Sequence, residues 1–277
     1  MTSLDFVAVG PQRTGTTWMH EVFEPHPQLC LPRHVKETMF FDRYYQKGSG
    51  WYEAHFKHGT AGQIRGEFGP TYFDCPDAPA RIHAMNPICK IIVNVRNPID
   101  RALSLYRHHL TRGRLRGTFR EAFDTHPRIL DSGRYSVHIP RWINQFGSER
   151  IHYVALDDIY ERPAVLTGGV CDFLGISYDV DLDWSKSKVG APNVPWSRRL
   201  AGAAVKTSNW LHGKRLHWLV HTAKRWRIQK LFLAGATHPL PQLTGEEREE
   251  LLKVYSDDIA YLEELLDRSF ENWRAAA

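Results

Sequence analysis

The feature that most restricts the fold is a direct succession of strand, turn and helix near the start of the chain. Leu4 to Val9 is a short apolar run rich in β-formers, and it stops at Gly10-Pro11. Beyond the turn, Gly15 to Phe23 resumes with apolar residues at helical spacing and ends before Pro25. The order returns twice. Lys90 to Val95 reads as a buried strand, breaks at Arg96-Asn97-Pro98 and leads into a helix from Ile99 to Leu110. Ile151 to Leu156 reads as a third, followed by Asp157-Asp158 and a helix from Ala164 to Leu174. Strands alternating with helices imply a mainly parallel sheet with helices on both faces, a three-layer α/β/α fold. His34 to Phe41 and Ile64 to Phe68 are shorter extended candidates. Thr244 to Leu266 opens on a capping box, Thr244-Gly245-Glu246-Glu247, and carries apolar residues at i, i+3, i+4 spacing, which predicts an amphipathic, helical C-terminal extension reaching to about residue 273.

The 277 residues, 42% of them hydrophobic, suffice for one large core, so a single domain over 1–277 is expected. This composition excludes a disordered, collagen-like or disulfide-stapled chain. No window is apolar enough for a membrane span and Met1 leads almost at once into the first strand, so a cytoplasmic protein is expected. Cys30, Cys75, Cys89 and Cys171 form no CxxC pair, which reads as reduced thiols. The net charge of +5 is unevenly spread. Residues 184–244 hold eleven Lys or Arg and no acid, leaving 25 basic against 31 acidic residues elsewhere. An acidic body thus carries one basic segment, which also holds five of the nine Trp and attracts phosphate, sulfate or anionic lipid. Peripheral membrane contact through this Trp-rich segment is the alternative to helical packing over a ligand. His217 and His221 stand at i, i+4 there, but no acidic third ligand is near in sequence, and no metal site is expected.

Gly10-Pro11-Gln12-Arg13-Thr14-Gly15-Thr16-Thr17 occupies the turn between the first strand and helix, where backbone N–H groups and the helix dipole favour an anion. Gly10, Gly15 and Thr17 fit the P-loop pattern, whereas Thr16 stands where a nucleoside-triphosphate loop has Lys. A kinase would also want an acid at a later strand end to hold magnesium, and the strand ending at Val95 offers Arg96 instead. A P-loop-like fold without the usual loop Lys suits sulfuryl transfer, which Arg, Lys and hydroxyl donors can support.

Arg13 to Trp18, together with Arg96 at a strand end and Ser104 on the following helix, resembles the two nucleotide-binding signatures of sulfotransferases that use 3′-phosphoadenosine 5′-phosphosulfate (PAPS). The resemblance implies that Arg13, Thr14, Gly15, Thr16, Thr17 and Trp18 meet the 5′-phosphosulfate and that Arg96 and Ser104 meet the 3′-phosphate. Pro32 to Asp42 is similar to the segment that carries the catalytic carboxylate in the heparan-sulfate-type branch, and Gly66 to Phe73 to its next motif. Lys188 to Asn193 stands where a late cofactor-covering loop is expected, adding Lys188, Gly190 and Arg198 to the implied nucleotide contacts. Residues 241–273 resemble the last helix of bacterial-type members. Two positions depart from the pattern: Arg13 replaces the usual loop Lys, and Phe68 replaces a Lys of the heparan-sulfate branch. Arg13 keeps the charge but lends no proton, so it is expected to act as an electrostatic clamp. Phe68 weakens the case for a highly anionic glycan acceptor.

The chemistry this implies is transfer of a sulfuryl group from PAPS, with no metal, to a hydroxyl or amine of a carbohydrate, a secondary metabolite or a lipid-linked acceptor. Glu37 is the expected base, with Lys36 beside it and His34 in reserve, and Arg13, Thr16 and Thr17 stabilise developing charge. A P-loop-type kinase lacks its Lys and its acid here. A nucleic-acid-binding protein would leave both phosphate signatures unexplained, and no helix-turn-helix, zinc finger or RNP-like motif appears, so a small-molecule or glycan partner is expected.

Overall fold

The computed structural model describes residues 4–178 and 240–274. Five strands, β1 (Phe6–Ala8), β2 (Leu29–Cys30), β3 (Ile64–Phe68), β4 (Lys90–Val95) and β5 (Ile151–Ala155), form a sheet in the order β2-β3-β1-β4-β5. Every pairing is parallel. The helices that position the site are α1 (Thr16–Phe23), α2 (Ala78–Met85), α3 (Pro98–Thr111), α4 (Tyr135–Phe146), α5 (Leu156–Glu161), α6 (Pro163–Leu174) and α7 (Gly245–Leu266).

Strand residues are buried on both faces, as the apolar runs require. Phe6, Ala8, Ile92 and Val154 pack with α1, α5 and α6, whereas Val7, Ile91, Val93 and Val95 pack with α2, α3, α4 and α7. Three layers result. The chain adds β3 on one side of β1 and then crosses to place β4 on the other. Ligands of open parallel sheets bind at the strands' C-terminal ends where such a reversal occurs, and the turns after β1, β3 and β4 meet there.

The expected strands and helices are present with small changes of boundary. The first strand is shorter than Leu4 to Val9, but backbone bonds from Asp5 N to Arg65 O (2.7 Å) and Val9 N to Ile92 O (2.8 Å) extend its pairing at both ends. Residue 156 opens α5 and does not close β5. The capping box at Thr244 and Glu247 forms, with both reciprocal bonds present. The expected extended segment His34 to Phe41 is a correction. It is a folded strap with positive φ at His34 (65°) and Met39 (55°), leading into a π-helical turn, Phe40–Tyr44. Thr38 and the Phe40 N–H are tied to the buried Glu67 and Tyr72, and those bonds override the local β-preference.

Candidate active site

The loop between β1 and α1 is shaped by two glycines. A side chain at Gly10 would overlap Asn94 on β4, so the turn lies flat against the neighbouring strand. Gly15 has φ +89°, and a Cβ there would stand 2.5 Å from Ile159 and 2.8 Å from Leu156 of α5. Buried Thr14 closes the turn with a 2.6 Å bond from its hydroxyl to Pro11 O, while Asn94 Nδ2 donates to Thr14 O at 3.3 Å. The first helical bond of α1 runs from Met19 N to Gly15 O. The N–H groups of its opening turn therefore have no intrahelical acceptor, which makes this end of the helix a place for an anion.

Arg13 sits in the loop with φ 78° and donates from Nε to Ser104 Oγ on α3 (3.0 Å). Arg96, at the end of β4, donates from Nη1 to the Arg13 carbonyl (3.0 Å). Its own backbone is fixed by Tyr135, whose hydroxyl accepts from Arg96 N (3.0 Å) and donates to Arg96 O (2.9 Å). The loop signature and the Arg96/Ser104 signature, distant in sequence, thus form one connected cationic cradle. Burial, then the nearby charges of Arg96 and Arg112, push the Arg13 guanidinium below its ordinary value, and burial does the same to Arg96 against the pull of Asp100 and Tyr160. Partly desolvated like charges at close range gain when an anion arrives between them.

The strap completes the site. Lys36 Nζ donates to Thr16 Oγ1 (3.1 Å), Thr17 Oγ1 (3.3 Å) and Glu37 Oε1 (3.1 Å), using all three of its protons. Lys36 and Glu37 are brought to the start of α1. His34 is exposed and lies near His58, whose pKa is lowered by burial, then by Arg33 and His34. The Trp18 ring is buried in the apolar layer under α1, so its position lends the site a backbone N–H and not an indole face. Phe68 is also buried, edge-on to Phe6 (6.1 Å) and His20 (5.6 Å), and presents no surface to an acceptor.

Arg112, Tyr160 and His20 beside the cradle escaped the sequence reading, and His108, on the helix after Ser104, reads from sequence only as a lining residue. Arg112, just past α3, adds positive charge near Arg13, and Tyr160, exposed on α5, lies near both Arg13 and Arg96. His108 is pushed down to about 3 by burial and then by Arg13 and Arg112, so it is a neutral ring on the cationic side of the site. His20, beneath the loop, is pushed down to about 4 by burial and Lys36. Nothing in local sequence pattern separates these from ordinary helix residues. Lys188, Gly190, Arg198 and the pair His217/His221 lie outside the described residues, as does the basic Trp-rich segment up to residue 239. Among the described residues no group of three or more His, Cys, Asp or Glu is gathered as a metal set, and no helix is long and apolar enough to cross a membrane.

A family model for the sulfotransferase domain matches residues 4–188, about two thirds of the chain. The chain belongs to the sulfotransferase domain family. This sulfotransferase domain is 36% identical over 176 residues to human heparan sulfate glucosamine 3-O-sulfotransferase 6, covering 61% of the chain and 51% of that protein. It is 31% identical over 279 residues to mouse bifunctional heparan sulfate N-deacetylase/N-sulfotransferase 4, covering 90% of the chain and 32% of that protein. The chain thus spans about half the length, or less, of these curated relatives. The fold is that of a crystallised sulfotransferase from Alicyclobacillus acidocaldarius, with a TM-score of 0.72 at 20% identity over 99% of this chain and 100% of that one.

Proposed function

We propose that this sulfotransferase domain moves the sulfuryl group of PAPS to a carbohydrate hydroxyl by in-line displacement. The observation that carries this reading is the junction at Lys36. One ammonium bridges the hydroxyls of Thr16 and Thr17 and the carboxylate of Glu37, beside a loop that Arg13 ties to Ser104 and Arg96. A proton acceptor and two cationic phosphate sites therefore surround one turn.

The donor set fits a nucleotide phosphorylated at two positions. The opening N–H groups of α1, Arg13, Lys36 and the hydroxyls of Thr16 and Thr17 would hold the 5′ side, and Arg96 with Ser104 the 3′-phosphate. PAPS when bound supplies an activated sulfuryl group. Glu37 takes the proton of the acceptor hydroxyl as the new O–S bond forms. Lys36, Thr16, Thr17 and Arg13 stabilise the charge left on the 5′-phosphate as its bond to sulfur breaks. Arg13 does this as a fixed charge, since a guanidinium lends no proton.

The proposed acceptor is supported by the relatives' names. Their names specify a glucosamine of heparan sulfate, which supports a glucosamine-containing glycan here. Arg112 and Arg114 at the end of α3 are exposed, and Arg43 lies near them, so positive charge gathers on this surface. A thermal-shift series with adenosine 3′,5′-bisphosphate (PAP), ATP with magnesium, and an oligonucleotide tests the nucleotide half. PAP is expected to stabilise the protein most, and stabilisation by ATP with magnesium alone overturns the reading. Transfer from radiolabelled PAPS to glucosaminyl oligosaccharides tests the acceptor half.

A further inference from the structure

Glu67 is ionisable, completely buried, and unused by the chemistry above. It lies near the end of β3, in register with Val7 of β1, on the face of the sheet that packs against α2, α3 and α4. Gly69-Pro70 then turns the chain so that Tyr72 comes back against it. Gly69 N donates to Ala8 O (2.9 Å) and Tyr72 N to Gly69 O (2.9 Å), and a side chain at Gly69 would overlap the Tyr72 ring. The segment Gly66 to Phe73 thereby builds a site for one carboxylate.

That carboxylate is bonded to the strap. Thr38 Oγ1 donates to Glu67, standing 2.8 Å from Oε2 and 3.1 Å from Oε1, and the Tyr72 hydroxyl donates to Oε1. The Phe40 N–H in turn donates to the Tyr72 hydroxyl (3.0 Å) and to Thr38 Oγ1 (3.2 Å). Each hydroxyl thus gives its proton to Glu67 and offers a lone pair to one backbone N–H. The pattern holds residues 38–40, including Met39 at φ 55°, in a conformation that local preference would not select. Thr38 follows directly on Lys36-Glu37. Because Glu67 has no exposed surface, it cannot touch an acceptor.

We propose that Glu67 is a positioning residue for sulfuryl transfer: through Thr38 and Tyr72 it fixes the strap that presents Lys36 and Glu37 to the anion loop. The proposal rests on the function assigned above. Stability alone gives little reason for a lone carboxylate at this place, since buried charges are costly and apolar replacements are often neutral or better. Specifying one backbone path beside a reacting centre does give a reason, because a displacement of about 1 Å there costs on the order of a hundredfold in rate. Burial raises Glu67 to about 7, with the bonds from Tyr72 and Thr38 opposing the rise and Asp42 adding to it. The ionisable groups facing it are Asp42 from the Phe40–Tyr44 turn, Tyr52 from the helix Ser49–Glu53, and Tyr72. Below that pH the carboxyl gains a proton, becomes a weaker acceptor and presents an O–H of its own to the two hydroxyls.

Four variants test this: Glu67→Gln, Thr38→Val, Thr38→Ser, and Leu262→Ala on α7 as a control for general destabilisation. For each, kcat, Tm, the Kd for PAP and backbone hydrogen exchange at residues 36–41 are measured. Glu67→Gln and Thr38→Val are expected to lower kcat about 10- to 100-fold, to leave Kd within about threefold, and to speed exchange selectively at 36–41. Thr38→Ser retains both kcat and protection. Wild-type kcat falls as pH drops through about 7, and Glu67→Gln loses that limb. Unchanged exchange at 36–41 in Glu67→Gln and Thr38→Val overturns the proposal, as does an equal loss of kcat in Leu262→Ala at equal loss of Tm. Should the wild-type protein transfer no sulfuryl group, the assigned function fails. The exchange data then decide the structural claim on their own.

Discussion

Replacing Lys36 with Met separates what the ammonium does for the fold from what it does for the reaction. Its distance to Glu37 is 3.1 Å, which at an effective dielectric of ~20 is a gross attraction of about 5 kcal/mol. Both side chains keep contact with water, at 20% and 21% exposure, so hydration offsets most of this. The net contribution to stability is about 1 kcal/mol, or a Tm loss of roughly 2–4 °C in a domain of this size. Met keeps the apolar stem, and Thr17 and Glu37 can turn to solvent. In the proposed reaction, by contrast, the same ammonium is a preorganised donor at the place where charge appears. Removing one such donor typically costs about 10²- to 10³-fold in kcat. The assay is initial-rate transfer from radiolabelled PAPS alongside a melting curve. A Tm drop beyond 10 °C, or a kcat within threefold of wild type, refutes the division of labour inferred from the three bonds at Nζ.

Other substitutions test neighbouring parts. Gly15→Ala must adopt φ +89° and push against Ile159 and Leu156; the left-handed conformation and the overpacking together cost about 2–5 kcal/mol, readable as a large Tm loss with no PAP-induced shift. Arg96→Ala removes the charge assigned to the 3′-phosphate, so calorimetry should show PAP binding weakened about 10- to 100-fold while adenosine 5′-phosphosulfate, which has no 3′-phosphate, binds as before. The histidines predict a pH dependence. Burial lowers His20 and His109 to about 4 and His108 to about 3, so each is neutral in the fold while the unfolded chain takes up protons below 6.5. Their stabilisation is full above pH 6.5 and is lost as pH falls toward 4, by at most about 2 kcal/mol each at pH 5. Glu67, raised to about 7, acts the other way, weakening the fold as pH rises from 4.5 to 7. Three groups outweigh one, and Tm in chloride buffers is expected to fall between pH 7 and 5; a rise contradicts the burial of these rings.

The sheet was legible wherever a strand is a continuous apolar run closed by Gly or Pro, as at Lys90 to Val95, and α7 was legible from its caps. Leu29–Cys30 escaped because two residues carry no period. His34 to Phe41 read as extended because its β-preference is local, whereas the bonds that fold it come from Glu67 and Tyr72, about thirty residues away. The cradle was visible as two signatures, but not the link from Arg13 to Ser104, which depends on α3 passing beside the loop. Glu67 had no assigned role in the sequence because its burial arises from the register of β3 on β1, which no short pattern reveals. Arg112 and Tyr160 likewise reach the site only through tertiary placement.

The central claim is that Glu37, held by Lys36 at the start of α1, takes the acceptor proton while the cradle holds PAPS. Its most direct test is a single-turnover transfer from radiolabelled PAPS to a glucosaminyl oligosaccharide by wild type and by Glu37→Gln, with PAP affinity measured on both proteins. The account predicts label on the sugar for wild type only, with PAP bound equally well by both. Transfer by Glu37→Gln at a rate near wild type would contradict it.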